Sequence, residues 1–147
     1  VADKVNSLDD PAAGLDEVLA KLPSEVMKKR VRHVITEIGR VDDFIEAFAN
    51  GDVKLTGELL NASGDSLRYD YEVTVPELDV AVDTARANGA YGARMMGGGF
   101  GGSIIAIVDA GKSQEIAQKI ADAFEQHGFN APRALPAYAA AAATRVQ

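Results

Sequence analysis

The stretch Gly92-Ala-Arg-Met-Met-Gly-Gly-Gly-Phe-Gly-Gly-Ser-Ile-Ile105 places five glycines in the six positions 97–102, between a methionine pair and an apolar run. Glycine loses more backbone freedom on folding than any other residue, so such a cluster needs a structural or functional return. "YGARMM" at 91–96 and "SIIAIVDA" at 103–110 both read as short strands, the second being rich in β-branched residues. The glycines then form the loop between two strands. Two would suffice for a tight turn. Five strip the loop of side chains, which lets another body approach the backbone or lets N–H groups face an anion. A functional loop and a purely structural turn both remain open on these residues.

The familiar phosphate loops do not fit. Gly97, Gly99 and Gly102 satisfy G-x-G-x-x-G. A dinucleotide site, however, needs a helix after the loop, and a strand candidate follows here. Gly97 and Gly102 also have Walker A spacing, but Ser103 stands where the phosphate-binding lysine belongs.

Outward from the loop, the chain reads as helices, then two strands, then a helix and a strand. Val31, Val34, Ile35, Ile38, Val41, Ile45 and Phe48 recur at helical spacing and predict one apolar stripe, ended by Asn50-Gly51-Asp52. Leu55, Leu59, Leu60 and Leu67 suggest a second helix over about 53–68. Thr74 and Glu77 have capping-box spacing, with Pro76 in the first turn, and Asn88-Gly89 closes that third helix. Ser113 is a cap candidate for a fourth helix carrying Ile116, Ile120 and Phe124 and closing at His127-Gly128. A last strand is expected between 131 and 139. The order predicts an α+β fold, with helices packed on one face of a small antiparallel sheet. Residues 1–27 are weakly patterned, broken by Pro11, Gly14 and Pro23, and read as a preceding element or linker; residues 28–147 read as the domain.

The 147 residues suit one domain with a real core, and 47% hydrophobic content excludes a disordered chain. A net charge of −7 argues against nucleic-acid or anionic-membrane partners. There is no cysteine, so disulfides and thiolate metal sites are excluded. No basic-then-apolar leader is visible, so a cytoplasmic location is expected and the sequon at Asn61 reads as chance. The missing initiator methionine suggests a piece of a longer protein.

"GARMMGGGFGG" resembles the third motif of the GHMP small-molecule kinases, in the form seen in galactokinases. "SGDSLRYDYEVTVPELD" at 63–79 and "RVRHVITEI" at 30–38 are similar to the segments that precede it in that family. The resemblance covers about 28–138. It implies a ferredoxin-like C-terminal domain of an enzyme that transfers the γ-phosphoryl of ATP, with Mg²⁺, to the anomeric hydroxyl of galactose. It also implies that Gly97, Gly98, Gly99, Phe100, Gly101 and Gly102 lie near the substrate and the phosphate loop of an N-terminal GHMP kinase domain. That domain would be the partner, and would hold the catalytic groups and the principal ATP and Mg²⁺ ligands. No catalytic residue is expected in this chain, and a fragment lacking that partner is expected to be inactive and to self-associate. Another GHMP sugar kinase, or a non-catalytic ligand sensor on the same fold, are the alternatives. Met96 stands where the family usually has Thr, Gly64 where His is common and Tyr69 where Asp is common.

Among the remaining polar residues, His33 is expected to be a core or interface histidine. Arg68 and Arg94 are expected in salt bridges, although either could touch phosphate. Asp65, Asp70 and Asp79 match no EF-hand spacing and read as caps or solvated carboxylates. Phe100, alone among glycines, is expected to anchor the loop by packing.

Overall fold

A computed structural model describes residues 14–137. Helices α1 (Leu15–Ala20), α2 (Glu25–Ala49) and α3 (Val53–Ser66) come first, and a π-helical turn (Leu67–Tyr71) continues directly from α3. Helix α4 (Pro76–Ala87) follows, then strands β1 (Gly92–Met96) and β2 (Ser103–Ile107), then α5 (Ser113–Gln126). The arrangement is the expected α+β one. No described helix is long and apolar enough to cross a membrane.

Local chemistry accounts for most boundaries. Ser24 caps α2 by accepting from the Met27 N–H at 3.2 Å, and Asp52 caps α3 by accepting from the Leu55 N–H at 3.0 Å. Pro76 opens α4 at a position where its missing N–H costs nothing. Two expected caps are absent: α4 starts after Val75, and α5 starts after Lys112, neither with a side-chain cap. The segment 1–27 is less featureless than its composition suggests, since α1 and the start of α2 lie within it. Residues 131–137, where a last strand was expected, are irregular; positions 138 and 139 lie outside the described residues.

The strands pair antiparallel, with Met96 opposite Ser103 and Gly92 opposite Ile107. Strand β1 is covered on both faces, where helices were expected on one face only. Ala93 and Met95 point into the core with Ile104 and Ala106 of β2, and are covered by α4 and α5 through Leu78, Val82, Ala85 and Ile116. The other face of β1 meets α3, at a backbone-to-backbone distance. A Cβ on Gly57 would overlap the Tyr91 carbonyl, and one on Gly92 would overlap the Gly57 carbonyl. Helix and strand can touch only because both positions lack a side chain.

The apolar stripe of α2 is turned largely outward. His33, Ile35 and Ala47 are the buried residues of the helix. Val34, Ile38, Val41, Ile45 and Phe48, five of the seven residues of that stripe, are 44–63% exposed. Periodicity correctly marks an apolar face, but that face is not the one turned to this chain's own core.

The Gly57 contact yields a direct expectation. Gly57→Ala forces α3 off β1 and lowers stability by about 1–3 kcal/mol, the usual cost of overpacking. Urea unfolding measures it, and an unchanged midpoint would show that the contact is dispensable.

Candidate functional site

The glycine run forms the tip of the β1–β2 hairpin. Gly97, Gly99, Gly101 and Gly102 have φ of 87°, 86°, 132° and 106°, and Phe100 has φ of 59°. The left-handed region is nearly free for glycine and disfavoured for other residues. The turn itself therefore demands four of the five glycines, more than the two expected of a tight turn. Gly98 is the exception: its φ is not left-handed, and a Cβ there meets nothing within 4 Å. Among the described residues no neighbour and no left-handed φ requires glycine at position 98.

Phe100 anchors the tip, but by its backbone. Its side chain is 75% exposed, contrary to the expected packing role. Its N–H instead donates to the Val73 carbonyl at 2.7 Å, and the neighbouring Gly99 sits so close that a Cβ there would overlap the same carbonyl. The segment after the π-turn thus holds the hairpin tip. The tip carries no charged side chain of its own.

Arg94, three residues before the loop, bonds α3 and α2 rather than the loop. Its Nη1 donates to Ser63 Oγ at 2.6 Å and lies 3.7 Å from Glu37, while its Nε donates to the Met95 carbonyl at 3.0 Å. Ser63 in turn donates to Glu37 at 2.6 Å, and Arg40 completes the group on the other oxygen of Glu37. Burial holds the pKa of both guanidiniums below their ordinary value, and at Arg40 the Arg94 charge adds to it. An arginine stays protonated under such a shift. These residues close the polar end of a cleft of about 190 Å³ between α2 and α3, whose opposite end is lined by Val41, Phe44, Ile45, Leu59 and Leu60. The salt bridge of Arg94 is as expected; its partners Glu37, Ser63 and Arg40 were missed, the Glu37–Arg40 spacing of three being their only local signal.

Arg68 behaves as expected, bridging Asp79 at 3.1 Å and Asp83 at 3.0 Å. Asp65, Asp70 and Asp79, expected as caps or solvated carboxylates, are each engaged by a cation: Asp65 with Arg86 at 2.6 Å, Asp70 with Arg32 at 3.1 Å, Asp79 with Arg68. No cluster of three metal-ligating side chains occurs among the described residues. The residues present do not fit a Mg²⁺ ion, which prefers free carboxylates and phosphate oxygens.

His33 is buried, stacked on Tyr71 with ring centroids 4.5 Å apart, and its Nδ1 lies 3.0 Å from Ser66 Oγ. Ser66 Oγ lies 3.2 Å from Asp70. His33 therefore ties α2 to the π-turn. Burial pulls its pKa below the ordinary value, partly opposed by the Asp70 carboxylate and reinforced by Arg40, Arg94 and Arg30.

The family model described as "GHMP kinases C terminal" matches residues 44–128. A galactokinase of Streptomyces coelicolor is 43% identical over 139 residues, covering 94% of this chain and 36% of its own length. One of Haemophilus influenzae is 45% identical over 105 residues, covering 70% and 27%. The crystal structure of Lactococcus lactis galactokinase complexed with galactose superposes with a TM-score of 0.79 at 36% identity, covering 87% of this chain and 33% of that one. The chain spans about a third of the length of these relatives.

The His33 environment fixes the sign of a pH effect. The unfolded chain takes up the histidine proton at the ordinary value of about 6.5, before the native state does. Stability from this group is flat above that value and falls as pH drops through it. The melting midpoint should decline from about pH 7 to about pH 5.5, above the window in which lowered carboxylates such as Glu72 titrate. His33→Gln should flatten that segment of the curve; an unaltered slope would assign it to other groups.

Proposed function

Because the chain belongs to the GHMP kinase C-terminal family, we propose that it is the C-terminal region of a galactokinase, which phosphorylates the anomeric hydroxyl of galactose from MgATP. The observation that carries this reading is the likeness along most of the chain to galactokinases in both sequence and fold. In this reading the principal ATP and Mg²⁺ ligands lie on another domain. A cytoplasmic location goes with the same reading.

In this proposal the loop Gly97–Gly102 lies against the phosphate-binding part of an N-terminal domain, near the reacting phosphoryl group. Gly98 is the residue that speaks for it. The turn accounts for the other four glycines, and a body approaching the loop would account for the missing side chain at position 98. Met96, 48% exposed at the edge of the loop, supports a second reading, a non-catalytic ligand sensor, since the resemblance expects a hydroxyl there.

The exposed face of α2 supports the same partner. Val34, Ile38, Val41, Ile45 and Phe48 repeat at spacings of four, three, four and three along the helix. That is the seam a helix presents to another packed element. We assign its cover to the rest of the longer polypeptide.

The kinase reading is tested with the longer protein and a coupled ATP assay on galactose. Gly98→Val should leave the melting curve unchanged and lower turnover by about 100-fold, the cost of displacing reacting groups by about 1 Å. Gly99 cannot serve as this probe, because its contact with Val73 would confound folding with function. Normal turnover in Gly98→Val would reduce the loop to a turn. The 147-residue chain alone should show no phosphorylation.

Sedimentation velocity tests the α2 surface. The isolated chain should self-associate, and Val41→Glu with Ile45→Glu should render it monomeric. A monomeric parent chain at high concentration would count against a covered face.

A further inference from the structure

The hairpin tip is held by one carbonyl, that of Val73, and the residue before it is under backbone tension. Glu72 has φ 59° and ψ 45°, the left-handed conformation that non-glycine residues rarely adopt. Glu72 terminates the π-turn, a form often found where a chain is being aimed. Two cations of α2 converge on its carboxylate: Lys29 Nζ on Oε1 at 2.7 Å and Arg30 Nη2 on Oε2 at 2.8 Å. Arg30 also donates through Nη1 to the Asp70 carbonyl within the π-turn. Both arms of one guanidinium thus grip the turn. On the far side, the Val73 N–H donates to the Leu67 carbonyl at 3.2 Å, and the Val73 carbonyl accepts from Phe100.

We infer that Glu72 is a positioning residue for the glycine loop: its carboxylate, gripped by Lys29 and Arg30, fixes the Val73 carbonyl that pins Phe100, so the loop is aimed from helix α2. The contacts run unbroken from one lysine and one arginine side chain on α2, through a strained residue, to a backbone bond at the hairpin tip. The strain is informative. A glycine at position 72 would take this conformation freely, and a carboxylate there is useful only for what it binds. The effect on turnover rests on the kinase reading; the placement of the loop does not.

The test uses the longer protein that carries this chain and reads hydrogen exchange on peptides spanning 97–102, referenced to peptides from α2. Glu72→Gln keeps the side chain's size and removes its charge. Glu72→Gly removes the carboxylate while suiting the left-handed backbone. Both should speed exchange in the loop by about fivefold relative to α2, the range of a lost pair of partly exposed ion pairs. In the unaltered protein, raising salt from about 0.05 M to about 0.5 M should speed loop exchange, and in Glu72→Gln it should not. If the kinase reading holds, turnover falls in both variants with the galactose KM unchanged. Retained loop protection in Glu72→Gly would overturn the inference, because the backbone conformation alone would then suffice. So would equal acceleration in the loop and α2, which would make Glu72 a residue of general stability. An unaltered protein that phosphorylates no sugar would defeat the kinase reading, while the exchange measurement still decides the positioning role.

Discussion

Backbone touches backbone at both ends of the β1–β2 hairpin, and the packing around it depends on those two contacts. At the open end, Gly57 of α3 lies against Tyr91 and Gly92. At the tip, Gly99 and Phe100 lie against Val73. In both contacts the nearest atom is a backbone carbonyl oxygen, so a changed rotamer cannot relieve either one. A helix that meets a strand through rotamers has some latitude; one that meets it through two bare backbones has almost none. The glycines at 57, 92 and 99 thus answer the same steric demand, although only the last lies in the conspicuous run.

Helix α2 reverses the usual arrangement of a surface helix. Beside the buried Ile35 and Ala47, its inward side carries His33, which bonds Ser66, and Glu37, which bonds Ser63 and Arg94 on neighbouring elements and Arg40 on α2 itself, while its outward side is an apolar seam. Buried polar groups cost little when each has a partner, and no buried side-chain nitrogen or oxygen among the described residues lacks one. The interior bonds of α2 therefore hold it against α3 and the π-turn without spending its apolar face.

These features explain what could and could not be read from the sequence. Four of the five α-helices, the two strands and the hairpin were legible because periodicity, β-branching and glycine clusters are local, whereas the six-residue α1 carries too short a pattern to stand out. The direction of the α2 stripe was not, since a period of 3.6 identifies a face and not its neighbour. The π-turn was invisible because nothing in Leu67–Tyr71 departs from an ordinary helical pattern. Caps at Thr74 and Ser113 fitted motif spacing but lost to helix starts set elsewhere. The glycine loop was found by composition, yet the singular status of Gly98 and the backbone role of Phe100 required φ angles. The group around Glu37 joins residues 57 positions apart, from Glu37 to Arg94, which no local pattern announces.

The bond from Phe100 to Val73 has a thermodynamic implication. A glycine-rich segment is ordinarily a large reservoir of chain entropy, and any body that settles on it must draw that reservoir down. Here part of it is already drained at folding, because the middle of the tip is pinned within the chain itself. Whatever comes against the loop meets a surface with less order left to impose, so more of the contact energy is available as affinity.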